Sequence, residues 1–150
     1  MASPARAVTT TTLGAWLLKA RPDGLPLDDL VDSGFRGLTS RCVRSSYRTG
    51  LVREDQPVLL WISGGDPHHP SGIYAIGHTT GPAGPVQNQL AMSLRLRAVA
   101  ETAVLREELL AKPGLSQLEV LRMPAGSNPS YLDKQQYFTL QRAFPRLSLR

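Results

Sequence analysis

Three groups of residues in this chain have types and spacings that could do chemistry. His68 and His69 sit side by side in the loop SGGDPHHPSG, an arrangement that invites a metal reading. Adjacent residues on an extended chain point to opposite sides, however. Chelation by a strand favours i,i+2 spacing and chelation by a helix i,i+4. His78 is the remaining histidine and Cys42 has no second thiol to pair with, so no metal site is expected and the histidines read as a polar loop tip. Cys42 lies between Arg41 and Arg44, where a thiol pKa would be lowered, but a small packing residue fits it as well. Ser, His and Asp are all present without a G-x-S-x-G elbow, a Walker loop or a dinucleotide fingerprint, so neither nucleophilic catalysis nor nucleotide cofactor binding is indicated.

The third group is more suggestive. Arg36, Arg41, Arg44, Arg48 and Arg53 follow one another with no intervening acid, and Tyr47 lies between Arg44 and Arg48. Guanidinium forks match phosphate oxygens, and an aromatic ring among them is how proteins hold an unstacked base while cations track the backbone. The same stretch also fits a solvated loop on a basic protein. Trp16 and Trp61 fall within apolar runs, where a core role is the first expectation.

These residues need a scaffold. The chain has 150 residues, which suits one compact domain, and its 41% apolar content is that of a globular protein. The net charge is +5, carried almost wholly by arginine, since Lys19, Lys112 and Lys134 are the only lysines. That balance favours anionic partners. A single cysteine excludes an internal disulfide and points to a reducing, cytoplasmic setting. No apolar run approaches the ~18 residues of a membrane span, and MASPARAVTTTT lacks the apolar core of a secretory signal.

Residues 1–12 lack periodicity and read as a flexible tail preceding one domain over 13–147. AWLLKA reads as a buried strand. Pro26 and the carboxylates of PLDDL suit the start of a short helix that Gly34 would end. PVLLWIS (57–63) and GIYAIGHTT (72–80) read as strands joined by a loop, and GPAGPVQNQ as a second connection rich in helix and strand breakers. LAMSLRLRAVA alternates, with Leu90, Met92, Leu94, Leu96 and Ala98 on one face and Ser93, Arg95 and Arg97 on the other. VLREELLAK reads as a short helix and LEVLRMP (118–124) as a fifth strand. In the last segment Ser130 and Asp133 fit a helix cap, with Tyr137, Leu140 and Phe144 on one face and Pro145 as the stop. Five strands with short helices predict an α+β fold, a curled mixed sheet or small barrel.

GAWLLKARPD with PLDDL, then VRSSYR, PVLLWISG, SGIYAIG and LEVLRMPAGSNP, in this order and spacing, resemble the EVE domain of the PUA-like superfamily over about residues 14–144. The resemblance implies a PUA-like small mixed β-barrel of about five to six strands with short flanking helices. It further implies a non-enzymatic module that reads a modified base, such as methylated or hydroxymethylated cytosine, in DNA or RNA, with no cofactor. Carried onto this chain, the pocket would draw on Lys19 and Arg21, on Cys42, Val43, Arg44, Ser45, Tyr47 and Arg48, on Trp61, Ser63 and Gly64, and on Ser127 and Asn128. Two positions depart from the family pattern. Cys42 stands where many relatives have a tryptophan, a stacking surface worth ~1–3 kcal/mol per base, and Asp55-Gln56 replaces a Gly-Asp pair. The alternatives are an ASCH-like hydrolase or ribonuclease that would use Lys19, and a pocket for a free nucleoside or nucleotide.

Overall fold

A computed structural model describes residues 7–22, 25–63 and 67–148. In chain order the elements are β1 (Leu13–Ala20), α1 (Leu27–Asp32), β2 (Ser40–Cys42), β3 (Pro57–Ile62), β4 (Gly72–Thr79), β5 (Gly84–Val86), β6 (Gln89–Ala98), β7 (Val104–Leu105), α2 (Arg106–Leu110), α3 (Glu119–Arg122), β8 (Ser130–Asp133) and α4 (Lys134–Ala143). Single 3-10 turns occupy Thr49–Leu51 and Pro145–Leu147.

The fold is mixed α+β, built on a curled, open sheet of eight strands in the order β2-β6-β4-β3-β1-β8, with β5 also on β6 and β7 on β4. The curled mixed sheet is as expected, and it forms a half-barrel: among the described residues β2 and β8, at its two ends, do not pair to close it. β1 runs parallel to β3 and antiparallel to β8. Being covered on both faces, β1 is apolar almost throughout rather than alternating, which is why AWLLKA is legible as a buried strand.

The two faces of the sheet carry separate cores. Ala15, Leu17, Leu59, Trp61 and Ile76 pack with Leu109, Leu118, Leu121 and Leu140 from the helical segments. On the other face Trp16, Leu18, Leu60, Met92, Leu94 and Leu96 enclose Leu27, Leu30 and Phe35. The switch of face at each successive residue of β1 and β3 follows from the two-residue period of a strand. α1 ends as expected at Gly34, with φ +66°, and the Phe35 N–H returns to the Leu30 carbonyl at 2.7 Å. Gly77 is the tightest approach in the sheet, since a Cβ there would lie 1.8 Å from the Arg95 carbonyl oxygen.

Four sequence expectations are corrected. LEVLRMP is not a strand: residues 119–122 form the single turn α3, with the Met123 N–H bonded to the Glu119 carbonyl. Buried Leu118, Val120 and Leu121 satisfy a helical period as well as a strand over so short a run. Residues 130–133 form β8, so the cap is Asp133, whose carboxylate accepts from the Gln136 N–H at 2.7 Å while Gln136 Oε1 accepts from the Asp133 N–H at 3.0 Å. GPAGPVQNQ contains β5, joined to β6 by Gln87 and Asn88, both at positive φ as a type I′ turn requires. Finally, residues 7–12 of the expected tail are ordered. Val8 is buried in the second core and Thr9 and Thr12 close a turn.

Candidate functional site

The site forms where the ladder between β1 and β8 runs out. Leu17 pairs with Ser130, so the register sets Asn128 opposite Lys19. Pro129 has no N–H with which to extend the ladder. The Asn128 side chain takes over instead. Its Oδ1 accepts from the Lys19 N–H at 2.8 Å and its Nδ2 donates to the Lys19 carbonyl at 2.9 Å. The Asn128 carbonyl in turn accepts from the Arg44 N–H at 3.0 Å, and Arg41 Nη2 donates to the Lys19 carbonyl at 3.1 Å. Asn128 thereby ties β1 to the segment that follows β2, across the open side of the half-barrel.

Around this junction lies a cleft of about 290 Å³. Residues 44–48 form one part of its lining and 126–129 another, with Lys19, Glu119 and Met123 completing it. The Lys19 side chain is buried, and its ammonium donates to the carbonyls of Met123 at 3.0 Å and Gly126 at 2.8 Å. Burial lowers the Lys19 pKa and Arg48 adds to that, opposed by the Glu119 carboxylate.

Arg48 and Glu119 form a bidentate pair, with Nη1–Oε1 at 2.7 Å and Nη2–Oε2 at 2.8 Å. Arg48 Nη1 also donates to the Pro129 carbonyl at 3.0 Å, and Ser130 Oγ donates to Glu119. Burial pushes the Glu119 carboxyl up, but the Arg48 and Ser130 hydrogen bonds and the nearby cations outweigh it, and the net shift is below the usual carboxylate value. The bond to Glu119 is the main cause holding the Arg48 guanidinium above its ordinary value. The guanidinium lies 4.8 Å from the Tyr131 ring centroid and 6.0 Å from that of Tyr47.

The uncommitted chemistry of the cleft belongs to its rim. Tyr47 is 54% exposed, its hydroxyl accepting from the Val8 N–H at 3.2 Å, and Met123 is 56% exposed. The Arg44 side chain makes no hydrogen bond or ion pair among the described residues. A second opening of about 420 Å³ lies on the other side of residues 126–128, lined by Lys19, Arg21, Arg41 and Ser63.

Of the residues named from the sequence, Lys19, Arg44, Ser45, Tyr47, Arg48, Ser127 and Asn128 meet in the main cleft, and Arg21 and Ser63 reach the second opening. Trp61 does not line either. It is 2% exposed within the first core, where its strand partner is Lys19. Cys42 is exposed and its Sγ contacts Gln89 Oε1 at 2.8 Å, away from both linings. Val43 packs against the second core, its N–H on the Leu90 carbonyl at 3.0 Å. Gly64 lies outside the described residues. Glu119 and Met123 carry no local signal in the sequence: the turn α3 brings them to the cleft, and Glu119 meets Arg48 from 71 residues away. Ser46, within the segment 42–48 expected as one wall, lines the cleft, as does Pro129 beside Asn128. His68 and His69 stand apart from the cleft, with His69 Nε2 3.9 Å from Asp28 Oδ1.

No known family's sequence model matches the chain, and no curated protein matches it. Its fold is similar to the NMR structure of Rpa0253 from Rhodopseudomonas palustris, with TM-score 0.69 and 14% identity over 91% of this chain and 96% of that one. At that identity the likeness concerns fold alone.

Proposed function

We propose that this protein is a non-enzymatic nucleic-acid-binding module of EVE type on a PUA-like half-barrel, and that the cleft beside Lys19 receives one modified base. The observation that carries this reading is the rim. The exposed Tyr47 ring offers a stacking face, the Arg44 side chain offers a cation without a partner among the described residues, and Ser45 and Ser46 offer hydroxyls, all on one loop over the cleft. The interior is rigid by contrast, because Lys19, Asn128, Arg48 and Glu119 are held by one another and by backbone. A volume of about 290 Å³ suits a single nucleobase and stands at the small end of ligand pockets.

Asn128 keeps one amide proton and one lone pair beyond its bonds to Lys19, enough to meet a base edge. Glu119 and Lys19, the groups a hydrolase would draw on, are tied down instead. Glu119 takes three hydrogen bonds and the Lys19 ammonium holds two carbonyls.

The test is a titration of matched oligonucleotides that differ only in methylation or hydroxymethylation of one cytosine. Selective binding to one member of a pair, lost in Tyr47→Ala, is the expected result. Equal binding to both would sink the base-reading proposal. A free nucleoside or nucleotide as the natural ligand would show instead as tight binding with little dependence on salt.

A further inference from the structure

A second basic surface lies apart from the cleft, on strands that no site residue named above occupies. β6 pairs with β2 only over Ala91–Ser93, and the Leu94 N–H then bonds to the Thr39 carbonyl at 2.8 Å. Among the described residues no strand covers that side of β6 from Arg95 onward. Over this edge runs an open groove of about 900 Å³, lined by Arg36, Arg95, Arg97 and His78, with hydroxyls from Thr39, Thr80 and Ser93.

Charge in this protein is sorted. Arg48 and Arg146 are neutralised by Glu119 and Glu108, and Arg53 is turned onto the carbonyls of its own loop. The side chains of Arg36 and Arg95, by contrast, are exposed and make no hydrogen bond or ion pair among the described residues. Arg97 is held in place by donating to the Ser148 carbonyl at 2.7 Å, and it meets no carboxylate among the described residues. Among the described residues no carboxylate lines the groove, and Asp55 Oδ1 lies 3.6 Å from His78 Nδ1 at one end. Arg95 and Arg97 occupy alternate positions of β6, ~6.8 Å apart along the strand, so they suit successive anionic groups better than one small anion. The opposite face of β6, carrying Met92, Leu94 and Leu96, is buried, which fixes the arginines outward.

We infer that the groove over the free edge of β6 holds the sugar-phosphate backbone of the nucleic acid whose base enters the cleft. This rests on the reading of the cleft as a base pocket. The segment 36–44 leads from the groove to the cleft rim, carrying Arg36 at one end and Arg44 at the other, with Arg41 between them at the second opening. The groove supplies sequence-independent attraction and the cleft supplies selectivity, the usual division between phosphate and base contacts.

The experiment compares the wild type, the double variant Arg36→Gln/Arg95→Gln, and Tyr47→Ala, titrated with a short single-stranded oligonucleotide, its modified counterpart and a duplex, at several salt concentrations. Both arginine side chains are exposed and have no partner among the described residues, so the double variant should fold normally. It is expected to bind every oligonucleotide about tenfold more weakly at low salt and to reduce the salt slope by about 1–2, with the ratio of modified to unmodified affinity unchanged. Tyr47→Ala should lower that ratio and keep the slope. A wild-type slope and affinity in the double variant would overturn the groove assignment, as would equal competition by polyglutamate, which would indicate an acidic protein partner. A wild type that binds modified and unmodified strands alike, with the slope still reduced in the double variant, would remove the base-reading function and keep the phosphate groove.

Discussion

Asn128 and Lys19 face each other as strand partners do, but the bonds between them run from the Asn128 side chain to the Lys19 backbone. The amide stands in for a main chain that Pro129 has interrupted. It closes the gap between β1 and the segment after β2, and so shapes the cleft that both help to line.

Asn128→Ala leaves the Lys19 N–H without an acceptor, while the Lys19 carbonyl keeps Arg41. A loss of about 1–3 kcal/mol is expected from one orphaned donor. Urea denaturation measures it, and a variant as stable as the wild type would show that water replaces the amide at no cost. Asn128→Asp keeps an acceptor for Lys19 and should fall between the two.

Glu119 gives the protein a specific acid sensitivity. Its folded pKa lies below the usual carboxylate value, so the unfolded chain takes up the proton first. The pair with Arg48 therefore contributes fully above about pH 4.5 and is lost as pH falls through the lower, folded pKa. The urea midpoint should drop over that range. Glu119→Gln should start about 2 kcal/mol less stable at neutral pH, given a pair that is largely but not wholly buried, and should lose less on acidification. An unchanged acid profile in Glu119→Gln would show that this carboxylate is not the group responsible.

Trp61 separates core from pocket. Trp61→Ala should cost about 3–5 kcal/mol of stability. Trp61→Phe, which keeps most of the apolar volume, should retain oligonucleotide affinity at temperatures where it stays folded. Reduced selectivity in a folded Trp61→Phe protein would return Trp61 to the binding surface.

For Tyr47 the expectation is reversed. Tyr47→Phe forfeits only the hydroxyl, which accepts from the Val8 N–H and supports the Arg48 guanidinium, and should bind nearly as well as the wild type. Tyr47→Ala removes the ring and should weaken binding by about 1–3 kcal/mol per stacked base, with little change in thermal stability because the ring is more than half exposed. Isothermal titration together with a melting curve distinguishes loss of binding from loss of fold.

Where the sequence carried a strong local signal, the elements followed from it. The apolar runs of β1 and β3, the alternation of β6 and the Gly34 stop of α1 each follow from which residue types a buried strand or a helix end tolerates. Tyr47 among arginines was legible for the same reason, since its neighbours lie in one loop. Segments of a single turn were not legible. Over 118–124 the apolar spacing suits strand and helix equally, and the choice of helix rests on packing of Leu118, Val120 and Leu121 against the core and on the Arg48–Glu119 contact, which joins residues far apart in the chain. The open edge of the sheet, the role of Asn128 at that edge, and the gathering of Arg36 with Arg95 and Arg97 belong to the same class. Composition and periodicity determined the mixed fold and the basic character of the chain. Which arginines are neutralised and which are left to meet an anion depends on contacts between distant segments, and only the tertiary structure decides those.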